Sequence, residues 1–254
     1  MPALATVPHK LPTHLAQAPL AEAIFEFRFK PVPQTSVAQL LPGLVFAKLH
    51  DKYDRSEATP VAGIPEQIRK GDPNLRYAAL HRLSGEKSSV FIGEQVAGVS
   101  VIEPYEGWQR FRPRILEFLE IARASNLIER VERFSIKAIN LIPSTSGQQL
   151  DLLNLRLEIG GIRAPETGFH FRTELNDKAF SRIIEIQPNT QIQFTTSKTT
   201  TGLLLSLDCV KILTNEDFWS AYATAINDVH NQLKELFFGL ITQKTLESLE
   251  PSYE

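Results

Sequence analysis

Pro19-Leu20-Ala21-Glu22-Ala23-Ile24-Phe25-Glu26-Phe27-Arg28-Phe29 decides how the rest of the chain is read. In an extended backbone Phe25, Phe27 and Phe29 share one side, and Glu26, Arg28 and Lys30 share the other. Aromatics alternating with charges at period two predict a half-buried strand, the first of a sheet that the remaining chain covers. Pro31-Val32-Pro33 then takes the chain out of the sheet, because proline has no N–H for the ladder.

Working outward, Thr35 or Ser36 can cap a helix to about Leu49, with Pro42 and Gly43 marking a kink or break. Residues 51–74 are polar, carry Pro60, Pro65 and Pro73, and read as a long loop with an edge strand. Strands are expected over 76–83, 88–93 and 98–103, with Ser84-Gly85-Glu86 as a hairpin turn. A helix follows over 108–124, its apolar stripe formed by Trp108, Phe111, Ile115, Leu116, Leu119 and Ala122. The second half repeats the plan: a strand over 133–142 ending at Pro143, a short helix over 149–158, and strands over 169–176, 181–187 and 203–213, with a further strand over 191–196. Asn215 or Thr214 then caps a long helix over 216–243, with Ala221, Ala225, Val229, Leu233, Leu236, Phe237 and Leu240 as its buried stripe.

The expected architecture is therefore α+β: duplicated β-α-β-β-β-α units sharing an extended antiparallel sheet, with the long helices on one face. Residues 1–15 form a flexible tail, 16–130 the first repeat and 131–254 the second. The TATA-binding protein is an analogue of such a duplication, an analogy of form that carries no function.

Bulk composition narrows the function classes. The chain has 254 residues, 43% hydrophobic and 22% charged, as in ordinary soluble proteins. Net charge is -2; residues 1–130 carry 16 basic and 14 acidic side chains, and 131–254 carry 11 and 15. The overall basic footprint of a duplex-binding protein is missing, which leaves room only for a local patch. A single cysteine, Cys209, excludes an intrachain disulfide and a Cys/His zinc motif. No apolar run approaches the ~18 residues of a membrane span, and the first residues lack a signal-peptide core. These features imply a cytoplasmic protein without membrane contact.

Several stretches resemble a sporadically distributed bacterial family of unknown function. The opening stretch is similar to its PL-x-EA-x-FE-x-R motif, and Tyr105-Glu106-Gly107-Trp108-Gln109-Arg110-Phe111 to its central Y-x-GW-x-x-F. Ala138-Ile139-Asn140-Leu141-Ile142 resembles its R-Y-I-N-x-I strand, with Lys137 and Ala138 in place of the basic and aromatic residues. Leu205-Ser206-Leu207-Asp208 is similar to its last strand, and Phe237-Phe238-Gly239-Leu240-Ile241-Thr242-Gln243-Lys244 to its closing F-x-x-x-IT-x-K. The resemblance spans 19–247 and implies no activity, cofactor or site. A patchy distribution is the kind seen for accessory, conflict or defence genes.

Two groups of residues carry candidate chemistry. Arg110, Arg112 and Arg114, with Trp108, stand at a helix start, where backbone N–H groups and guanidinium groups attract an anion. Residues two apart splay on a helix, so the same pattern also describes solvated arginines around a Trp108/Phe111 anchor. His170, Arg172 and Glu174 share one side of a strand and could bind phosphate or move protons; equally, they describe a solvated face with a cross-strand ion pair. No HExxH, P-loop, G-x-G-x-x-G or G-x-S-x-G context is present, so no metal, cofactor or catalytic residue is implied. Cys209 in an apolar strand reads as core.

The reading that follows is a non-enzymatic binding subunit with a protein partner or a second copy, most simply as a dimer. A nucleic-acid-binding or nuclease-type module using Arg110, Arg112 and Arg114 is the alternative, and a small-ligand sensor a third.

Overall fold

A computed structural model describes residues 10–144, 148–163, 169–177, 179–193, 199–214 and 217–253. Among them the fold is α+β. In chain order the elements are β1 (His14–Leu15), β2 (Leu20–Pro31), α1 (Val37–Leu49), β3 (Arg55–Ala58), α2 (Glu66–Gly71), β4 (His81–Ser84), β5 (Ser88–Ile92), β6 (Val96–Ile102), α3 (Trp108–Ala124) and β7 (Ile128–Pro143). There follow β8 (Glu158–Ile159), β9 (Ile162–Arg163), β10 (Phe171–Asn176), β11 (Ser181–Gln193), β12 (Thr199–Ile212), α4 (Phe218–Leu240), α5 (Gln243–Ser248) and β13 (Pro251–Ser252).

Nine strands form one sheet in the order β10-β11-β12-β7-β2-β6-β5-β4-β3. The outer pairs are antiparallel. The central ones run the same way: the Leu141 amide donates to the Pro19 carbonyl while Lys30 pairs with Glu129, so β2 and β7 run in opposite directions. No helix among the described residues is long and apolar enough to cross a membrane.

The chain divides into two compact units. The first comprises Met1–Glu22, Lys137–Val210 and Asn227–Glu254; the second comprises Ala23–Ile136 and Lys211–Ile226. In the second unit the aromatic side of β2 is fully buried: Phe25, Phe27 and Phe29 have no exposed surface. Phe27 lies 6.1 Å from Phe118 of α3 and 6.4 Å from Phe218 of α4, and Phe134 of β7 lies 5.2 Å from Phe218. Each such ring, taken wholly out of water, stabilises the fold by about 2–3 kcal/mol. Leu83, Val90, Ile92 and Val99 extend the same apolar layer.

Helix α1 runs unbroken from Val37 to Leu49 with Pro42 inside it, where the sequence suggests a kink or break. Val37, Ala38, Leu41, Pro42, Val45 and Leu49 are all buried along one side, and that apolar stripe holds the helix together across the missing N–H. Ser36 precedes it without capping; its hydroxyl instead donates to Glu94. The expected loop at 51–74 contains the exposed strand β3, a 3-10 turn at Pro60–Gly63 and the single-turn helix α2.

In the first unit, Ile184 and Ile186 of β11 and Leu203, Leu205, Leu207 and Cys209 of β12 face the core. Strand β1 pairs with β13. Asn154 Nδ2 donates to the carbonyls of Gly239 and Ile241, and Thr242 caps α5 by accepting from the Thr245 amide. The helix expected at 149–158 is a single 3-10 turn, Gln149–Leu152, with Gln149 buried and bonded to Ser144 and Asn189. The cap residue Asn215, the start of the last helix at Glu216 and the end of the expected 191–196 strand lie outside the described residues.

Candidate functional site

Helix α3 starts where the sequence places it because Gly107 precedes it at φ +89°, a left-handed backbone that favours glycine. The anchor is aromatic: Trp108 and Tyr105 both meet the buried Phe111 edge-on, at 6.1 Å and 6.3 Å. Burial pushes the Tyr105 hydroxyl far above its ordinary pKa, so it stays protonated.

The three arginines divide by helical geometry. Arg110 and Arg114, one turn apart, line a small recess with Lys87, Tyr105 and Glu106. Arg112 points elsewhere, and its Nη2 donates to the Ala223 carbonyl at 3.3 Å. Within the recess Arg114 donates to Ser88 Oγ at 3.1 Å and sits 3.7 Å from Glu106; Lys87 is 3.9 Å from the same carboxylate. Three cations around one carboxylate leave a local positive excess. The recess has a volume of about 10 Å³, room for about one water. A small-molecule pocket takes about 300 Å³ or more, so this spot can offer a surface contact to an anion but cannot engulf a metabolite.

His170, Arg172 and Glu174 belong to the first unit, the arginines of α3 to the second. His170 is exposed and lies just before β10. Arg172 faces its cross-strand partner Glu185 at 3.3 Å, and Glu174 accepts from the Ser181 hydroxyl at 2.7 Å. With the Arg172 side chain half exposed, that ion pair is a surface one, worth under about 1 kcal/mol. Nearby, Asp177 accepts from Arg182 at 2.6 Å and from the amides of Ala179 and Phe180; these bonds, the arginine first, hold its pKa down at about 2. Cys209 is fully buried and its thiol is pushed up to about 12, which removes the thiolate a nucleophile would need.

A second charged cluster involves residues far apart in sequence. Arg28 Nε donates to Glu26 Oε1 at 2.9 Å, and Arg133 of β7 reaches the same oxygen at 3.6 Å. The Arg28 guanidinium also stacks on Tyr77, 4.1 Å from the ring centroid. The alternation of β2 signals Glu26 and Arg28; nothing local signals Arg133 or Tyr77, because both arrive through strand pairing and a loop.

Among the described residues no group of three or more His, Cys, Asp or Glu side chains is arranged to hold a metal ion. No known family model matches the chain, and no curated protein matches it at a significant level.

Proposed function

We propose that this chain is a cytoplasmic binding subunit that works by association with a second copy of itself. The observation that carries the reading is the outward face of α1. Leu40 is 51% exposed, Leu44 44% and Phe46 37%, and the space around Gly43 is open. Scattered single apolar residues need no explanation, but Leu40 and Leu44, one turn apart, stand together on one side of the helix beside Gly43, while Phe46 lies about 120° round from Leu40. A twofold axis through such a helix would set Leu40 and Leu44 of each copy against those of the other. Gly43 would let the two helices approach closely.

The reading includes a duplicated ancestry, with the long helices on one face of the shared sheet. Its support is the strand order. From the β7/β2 pair outward, one direction runs β12, β11, β10 and the other β6, β5, β4. That is the same succession of last, middle and first hairpin strands on each side. Resemblance of the opening, central and closing motifs to the patchily distributed bacterial family fits an accessory role.

The test is mass in solution. Light scattering at 10–100 µM protein should give twice the chain mass. Leu40→Glu combined with Leu44→Glu should return the single-chain mass with an unchanged circular dichroism spectrum. A wild-type protein that stays monomeric across that range would refute the proposal.

A further inference from the structure

In the second unit the core takes Phe25, Phe27, Leu83, Val90 and Val99. Strand alternation therefore sends Glu26, Arg28, Arg82 and Phe91 to the opposite side of the sheet. Phe91 lies across Gly98, its cross-strand partner in β6: two ring carbons stand 2.4 and 2.8 Å from where a glycine Cβ would be. Glycine leaves the room that the tip of this half-buried ring occupies. Arg82 is the partner of Phe91 on the other flank, in β4, and its Nη1 donates to Ser89 Oγ at 3.2 Å. Ser89 and Ser100 bond to each other at 3.0 Å and form a small, low floor beside the ring. Towards β7 stand Arg28 and Arg133, sharing Glu26, and Arg76 lies 5.3 Å from the Tyr77 ring. Glu57, opposite Arg82 in β3, is a second carboxylate on this side. Arg28, Arg76, Arg82 and Arg133 thus outnumber Glu26 and Glu57 around a half-buried aromatic.

We propose that this outer sheet face binds single-stranded nucleic acid, with Phe91 as the stacking platform for a base and Arg28, Arg82 and Arg133 as the phosphate contacts. A part-exposed aromatic ring with guanidinium groups beside it on one sheet side supplies the two requirements of strand binding, a π-surface and a cationic track. From β4 to β7 is four strand spacings, about 19 Å at ~4.8 Å each, enough for a few nucleotides. A duplex would present its phosphates but hide the base faces that the ring needs, so a single strand is the better fit. The small net charge of the chain is no obstacle, because the positive excess is local.

Fluorescence anisotropy with a labelled 12-nucleotide oligo-dT or oligo-U, and with a duplex of the same length, tests this. Expected is single-strand binding that weakens with salt at a log–log slope of about -2 for three phosphate contacts. Phe91→Leu, which keeps apolar packing over Gly98 but removes the ring, should weaken binding about 5- to 100-fold. Arg82→Glu, at an exposed position, should weaken it at least about 10-fold and flatten the salt slope. Arg156→Glu, in the first unit, should change nothing. Circular dichroism of each variant checks the fold. The proposal is overturned if the wild type fails to bind at 50 mM salt or prefers the duplex. It is equally overturned if Arg110→Glu abolishes binding while Arg82→Glu and Phe91→Leu leave it intact.

Discussion

At the scale of single residues, the sheet is most sensitive where it has no side chain. A Cβ at Gly98 would stand 2.1 Å from the Phe25 carbonyl oxygen as well as against the Phe91 ring. Backbone cannot retreat there without breaking the ladder between β2 and β6. Gly98→Ala should therefore destabilise by about 2–3 kcal/mol, as overpacking does. Gly43→Ala is the matched control, because nothing lies within 4 Å of its Cβ and it sits inside a helix. It should stabilise by up to about 1 kcal/mol. Urea midpoints of the two variants check both signs. No reading of the sequence separates these glycines, since the difference lies in what another strand brings next to them. Phe25, Phe27 and Phe29, by contrast, declare their burial by alternation alone.

At the scale of elements, α4 shows what tertiary contacts add to periodicity. The spacing of apolar residues predicts a buried stripe through Ala221 and Ala225. Val229, Leu233, Leu236 and Leu240 are buried as the spacing expects, but in the first turns Phe218 and Ile226 are buried instead and Ala221 is exposed. The aromatic cluster of Phe218, Trp219 and Tyr222 sets the rotation of the first turns, because large rings gain more from burial than alanines.

The stripe carries a titratable group, His230, whose pKa falls to about 4, chiefly through burial and then through the Lys234 charge. In the unfolded chain its pKa is about 6.5. Between those values the unfolded state binds the proton and the folded state does not, so stability is full above pH 6.5 and declines as pH falls towards 4. By pH 5 the loss from this residue is about 2 kcal/mol. His230→Gln should lose correspondingly less stability between pH 7.5 and 5.0 in paired denaturant melts.

Elsewhere the elements were legible in type and less so in extent. α3 falls at its expected bounds because Gly107 and a clean apolar stripe mark it. β7 begins at Ile128, earlier than Arg133, because its first residues alternate charges and gain their strand character only from β2 and β12. The candidate arginines of α3 were readable as a helix-start cluster. Their division into Arg110 and Arg114 in one recess and Arg112 on Ala223 depends on where Lys87, Glu106 and α4 lie. That Arg133 and Tyr77 join Arg28 has no local signature.

At the scale of the whole molecule, each compact unit is assembled from chain segments far apart in sequence. Phe25 packs near Phe134 and Phe27 near Phe218, partners that lie more than 100 residues downstream. Contacts of that range slow folding and tie the stability of early segments to late ones. They also explain why β2 can be read at a glance while its neighbours cannot: the alternation says that it is covered, and only topology says by what.

The division into two units has a practical optical consequence. Both tryptophans, Trp108 and Trp219, lie in the second unit, and the lone thiol, Cys209, is sealed in the first. Indole emission therefore reports on one body and the onset of thiol labelling on the other, without any engineered probe. In a guanidinium titration, coincident midpoints for the two signals are expected if the shared sheet melts as one. Midpoints that separate would show instead that it comes apart in stages, and the order of the two colours would say which part yields first.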